Sequence, residues 1–173
     1  MDKLVSCLKF LQGDGRRAAL CNAAGSLALL CMAWYSEYVL RLLPCELCFW
    51  QRKPHLLIVA LGILGFLVRA PKWRAAVLGM IVLAALANVG IASFHVGVEY
   101  HWWEGLKTCS APTAITRTLE EARELIFNSH VVACDKPAAI ILGLSMAGWN
   151  ALISLAMAIW AGFGLRRTLA SSK

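Results

Sequence analysis

Apolar residues run along this chain in four long blocks, at about residues 18–40, 46–68, 75–95 and 137–165, with charged and turn-forming residues gathered between them. A bilayer core about 30 Å thick takes about 20 helical residues, and the blocks have that length. The second opens with Gln51, Arg52, Lys53, Pro54 and His55, so its first turns must sit at an interface or face protein. No period-two alternation suggests a barrel, and helices satisfy their own backbone in lipid. The pattern predicts an all-α membrane protein: one domain over residues 1–173, a bundle of four transmembrane helices with outer loops at about 41–46 and 97–136. Within the longer loop, residues 114–127 read as a short amphipathic helix. Ile115, Leu119, Ala122, Leu125 and Ile126 form one face and Arg117, Glu120, Glu121 and Glu124 the other. Such a helix lies on the membrane surface or caps the bundle.

Composition supports lipid as the solvent. The chain has 173 residues, 60% hydrophobic and 16% charged, against about 45–50% and about 25% for soluble domains. A water-soluble globule of this size has too little interior for that much apolar surface, and a disordered chain is excluded by the same figure.

The formal charge of +7 sorts by loop. Lys3, Lys9, Arg16, Arg17, Arg69, Lys72, Arg74, Arg166, Arg167 and Lys173 share one side with only Asp2 and Asp14, giving +8 there and −1 on the other. The positive-inside rule puts both termini in the cytoplasm. The basic balance is thus a topology signal and argues against a nucleic-acid partner. The first block is long for a signal sequence and lacks a small-residue cleavage site, so it reads as an uncleaved helix.

This topology separates the seven cysteines. Cys7, Cys21 and Cys31 read as a cytoplasmic thiol and two packing residues. Cys45, Cys48, Cys109 and Cys134 fall on the outer side, where disulfides persist. Cys45 and Cys48 form a C-x-x-C where the second helix begins. Their spacing lets the sulfurs meet in one turn, and a helix N-terminus favours thiolate. Arg52 follows on the same face, at i, i+3, i+7. A guanidinium at a membrane boundary can snorkel; here it can also hold a thiolate or polarise the carbonyl of a lipid-soluble electron acceptor. Cys109 and Cys134 bracket the amphipathic segment and read as a staple or as the outer half of a thiol–disulfide relay. A structural Cys₄ zinc site wants two close-spaced pairs, and only one is present, so no metal is assigned. His95 and His101, near the outer end of the third helix, are candidates to donate to an acceptor carbonyl, and Glu99 stands four residues from His95 as its partner. Trp102 and Trp103 read as an interface belt.

The stretch Pro44-Cys45-Glu46-Leu47-Cys48-Phe49-Trp50-Gln51-Arg52 resembles the P-C-x-L-C-x-x-x-R signature of the DsbB family of membrane disulfide oxidoreductases. Cys134-Asp135 and the run from Leu142 to Asn150 resemble that family's approach to its fourth helix. Pro54 lies outside the signature as matched, and inside a helix it frees the Trp50 carbonyl and favours a kink. The resemblance implies a bacterial inner-membrane enzyme that reoxidises a periplasmic DsbA-like thioredoxin-fold dithiol and passes electrons to the membrane quinone pool, ubiquinone or menaquinone. It implies that Cys109 is attacked by the donor, that Cys134 is its partner, that Cys45 exchanges with this loop pair, and that Cys48 is the thiolate beside the quinone. Arg52, with His95 or His101, would bind the quinone. Three alternatives remain: a donor-specific paralogue, a non-catalytic scaffold with structural disulfides, and a vitamin-K-epoxide-reductase-like enzyme. Arg52 beside the C-x-x-C counts against the scaffold, and the lack of a fifth helix counts against the last.

Overall fold

Turn and cap residues set the limits of the helices. The computed structural model describes residues 15–106 and 133–171. It contains helices α1 (Gly15–Tyr38), α2 (Glu46–Leu67), α3 (Pro71–Glu99) and α4 (Met146–Ala170), with a two-stranded hairpin, β1 (Ile140–Ile141) and β2 (Leu144–Ser145), before α4. Cys45 is the N-cap of α2, and Glu46 in the first turn suits the positive end of the helix dipole. Pro54 is accommodated inside α2, which runs unbroken from 46 to 67. Pro71 starts α3, where its missing N–H costs nothing. Arg74 closes the three-residue α2–α3 turn by donating from Nη2 to the carbonyls of Val68 and Arg69, both at 2.9 Å.

The fourth apolar block does not form one helix from 137. Its first residues make the hairpin, pairing Ile140 with Ser145 and Ile141 with Leu144. Leu142 and Gly143 take φ of 51° and 84° in the two-residue turn, which matches the twist of the flanking strands. Ser145 then caps α4 by accepting from the Gly148 N–H at 3.1 Å. An apolar run hides this break, because hydropathy does not register a positive-φ turn. By contrast, α3 outruns its apolar block by about a turn at each end. The amphipathic segment at 114–127 lies outside the described residues.

Successive helices pack side by side, and α4 closes against both α3 and α1. The interior is built of small residues, Ala18, Ala19, Ala85, Ala158 and Ala161, around Ile58, Leu78 and Ile81. A Cβ on Gly62 would lie 2.5 Å from the Ala19 carbonyl oxygen and 2.6 Å from the Ala23 Cβ, so glycine alone permits this α1–α2 approach. The outer surface is apolar: Leu83 is 68% exposed, while Asn88, on the same helix, is fully buried. That inversion suits a hydrocarbon surround. By length and composition α1, α3 and α4 are able to cross a membrane.

Candidate functional site

The site lies where the start of α2 meets the end of α3 and the start of α4. Cys45 and Cys48 are free thiols, hydrogen-bonded to each other with their sulfurs 2.9 Å apart. Three-residue spacing brings them together at the helix N-terminus, as the sequence predicts. Cys134 is disulfide-bonded. It packs in one apolar cluster with Cys45, Leu47, Val98 and Cys48, so Cys134, 1% exposed, is buried against the dithiol. Cys109 lies outside the described residues.

His95, one turn before the end of α3, also meets the dithiol. Its Nε2 is 3.5 Å from Cys45 Sγ and 3.8 Å from Glu99 Oε1, so the partner expected four residues away is in place. Gln51 Nε2 donates to His95 Nδ1 at 2.8 Å. The hydrogen bond from Cys48 holds the Cys45 thiol well below the usual thiol range, opposed by burial and helped by the hydrogen bond of His95. Cys45 Sγ, Cys48 Sγ and His95 Nε2 lie within 4.8 Å of one another, near enough to share a soft metal ion. With Gln51 donating to Nδ1, however, the neutral ring turns a hydrogen rather than a lone pair toward the sulfurs.

Arg52 stands on the same side of α2 and is held in place. Its Nη1 donates to Glu37 Oε2 at 2.6 Å, its Nη2 reaches the Ala33 carbonyl at 3.5 Å, and the guanidinium lies 5.0 Å from the centre of the Phe49 ring. Cys48, Arg52, His95, Ala33, Trp149 and Ile153 are among the residues around a cavity of about 390 Å³, which Glu99 and His55 also line. That volume falls in the range of small-molecule pockets. Trp149 is fixed by donating from Nε1 to the Ile141 carbonyl at 2.8 Å, so the hairpin braces this wall. His101 is exposed, at positive φ just past α3, and does not line the cavity.

Below the dithiol lies a buried polar cluster whose roles the sequence did not reveal. His55 Nε2 is 2.8 Å from Asn150 Oδ1, and His55 Nδ1 is 3.1 Å from Ser26 Oγ. Asn88 Nδ2 donates to Ser154 Oγ at 2.9 Å. Asn150 Nδ2 donates to Gln51 Oε1 at 2.5 Å. Each helix contributes, and the only available signal was polar residues spaced by four within apolar runs, Gln51 with His55 and Asn150 with Ser154.

A small-residue membrane bundle that seats a C-x-x-C dithiol against a buried disulfide-bonded cysteine, an imidazole and a guanidinium belongs among membrane thiol–disulfide proteins. Residues 15–164 match the family described as Disulfide bond formation protein DsbB. The chain is 30% identical over 150 residues to Disulfide bond formation protein B 1 of Pseudomonas fluorescens, covering 85% of this chain and 86% of that one. It is also 30% identical over 159 residues to Disulfide bond formation protein B of Saccharophagus degradans, covering 85% and 92%. An uncharacterized protein of Rickettsia prowazekii is 25% identical over 139 residues, 79% of this chain and 80% of its own length. No solved structure is a significant match. The chain belongs to the DsbB family: it is a membrane protein of disulfide bond formation.

Proposed function

We propose that this protein is a protein dithiol:quinone oxidoreductase of a bacterial inner membrane, with four transmembrane helices, both termini in the cytoplasm and its active cysteines facing the periplasm. The observation that carries this reading is that Cys48, Arg52 and His95 open on one largely apolar cavity of about 390 Å³, while Cys45 packs against the disulfide-bonded Cys134. The dithiol thus packs against a disulfide-bonded cysteine and opens on room for a flat, lipid-soluble acceptor.

In this reading Cys134 is bonded to Cys109, and a reduced periplasmic DsbA-like thioredoxin-fold protein attacks Cys109 and leaves oxidised. The reduced loop pair then attacks Cys45 of the oxidised C-x-x-C, releasing Cys48 as thiolate. Ubiquinone or menaquinone supplies a two-electron, two-proton acceptor whose carbonyls accept hydrogen bonds. Arg52, held by Glu37, presents its charge where negative charge develops, and His95 presents a hydrogen at the dithiol. In sum, one donor dithiol and one quinone become one disulfide and one quinol, with electrons and protons in balance.

The test is anaerobic quinone reduction by the purified protein, supplied with a reduced thioredoxin-fold dithiol. Quinone absorbance should fall mole for mole with donor oxidation. No reaction with either quinone in folded protein would leave the scaffold reading.

A further inference from the structure

Hydrogen-bond direction can be followed through the polar cluster atom by atom, because an amide nitrogen only donates and an amide oxygen only accepts. Asn150 Nδ2 donates to Gln51 Oε1 at 2.5 Å. That fixes the Gln51 amide with its nitrogen toward His95, where Nε2 donates to Nδ1 at 2.8 Å. A neutral imidazole that accepts at Nδ1 carries its hydrogen on Nε2, and Nε2 is the atom 3.5 Å from Cys45 Sγ. At the other end of Asn150, Oδ1 lies 2.8 Å from His55 Nε2. That oxygen also accepts from Asn88 Nδ2 at 3.3 Å and from Ser154 Oγ at 3.4 Å, which fixes the Asn150 amide with its nitrogen toward Gln51, while Asn88 Nδ2 lies 3.0 Å from His55 Nε2. The chain therefore runs one way, Asn150 to Gln51 to His95, and ends as a donor aimed at sulfur. Gln51 and His95 are both buried, so the bond between them is shielded from water.

We propose that Asn150 is a positioning residue that acts through Gln51 to hold His95 as the Nε2–H tautomer, keeping its hydrogen directed at Cys45. This deepens the proposed oxidoreductase reading, because it names what holds the imidazole hydrogen at Cys45, the sulfur that the loop pair attacks in that reading. Amides orient a proton but do not hand it on, so the chain sets a tautomer and is no proton wire. The other titratable or charged groups around Cys45 and His95 are Cys48, Arg52 with its partner Glu37, Glu99 and Lys136. None of them contacts Asn150 in the chain just described.

Two readouts on the reduced full-length protein in detergent test this, and neither needs quinone or donor, so they fail independently of the oxidoreductase reading. The first is the ¹⁵N spectrum of labelled histidine, with His95 identified by its loss in His95→Gln. The parent should show Nε2 protonated, and Asn150→Leu should lose that fixed tautomer. The second is the pH profile of Cys45 alkylation by iodoacetamide, read by mass spectrometry. Asn150→Leu should move the midpoint up by about one pH unit, roughly tenfold less thiolate at a given pH. Asn150→Asp keeps the volume and the oxygen facing His55 but removes the N–H, and should behave like Asn150→Leu; it also serves if the leucine variant does not fold. Overturning results are a parent His95 protonated at Nδ1, or a folded Asn150 variant with the parent's histidine spectrum and alkylation profile.

Discussion

Arg52 and Glu37 form a half-buried ion pair, Nη1 to Oε2 at 2.6 Å, that ties the first turns of α2 to the last turn of α1. The guanidinium is therefore fixed at the cavity wall and has not snorkelled away. Arg52→Ala should raise the quinone KM about tenfold, a loss of about 1.4 kcal/mol, and leave the membrane topology unchanged. Glu37→Gln keeps the arginine but loosens its hold, and should give a smaller rise. Steady-state rates over a range of quinone concentrations check both; an Arg52→Ala enzyme with the parent's rate at low quinone would reduce Arg52 to an anchor.

Cys48→Ser should abolish quinone reduction while Cys109 still forms a mixed disulfide with the donor, because the two steps use different sulfurs. Non-reducing gels of donor and variant, run beside quinone absorbance, separate them. Full turnover in the serine variant would remove the role given to Cys48.

Cys45 should be the acid-reactive thiol of the reduced protein. The hydrogen bond from Cys48, seconded by His95, promotes its ionisation, so the thiolate is present below the usual thiol range near pH 8.5 and is lost only as the pH falls further. Brief alkylation at pH 6 should label Cys45 ahead of Cys21 and Cys31. In His95→Phe the labelling at that pH should fall.

Gly62→Val should weaken the bundle without touching the dithiol. Its Cβ would meet the Ala19 carbonyl and the Ala23 side chain, so α1 and α2 must part, at a cost of about 2 kcal/mol. For a chain of this length that lowers Tm by roughly 4–8 °C. Melting in detergent, with alkylation of Cys45 as the check on the site, reads both.

Some of this was legible in the residues alone. Apolar runs gave the four helices, and three-residue spacing gave the meeting of Cys45 with Cys48. The approach of Glu99 to His95 followed from helical periodicity. The hairpin before α4 did not, because Ile140, Ile141 and Leu142 look like the start of an apolar helix; Gly143 and the cap at Ser145 are its local marks. The partners of Gln51, His55, Asn88 and Asn150 were hidden for a deeper reason. A helix apolar all round carries no periodic mark of which face turns inward. Polar residues show that something is buried, and only the packed bundle shows what they meet.

The interior of small side chains has one further consequence. Alanine and glycine surfaces are smooth, and smooth helices in lipid can slide along one another at little cost. Ser26, His55, Asn88 and Asn150 act as pins through that interface, one from each helix. Sliding any helix by a single residue, about 1.5 Å, would pull its pin out of hydrogen-bond reach with no water to replace it. The polar cluster therefore sets the vertical alignment of the four helices, and with it the height at which the dithiol stands against the cavity.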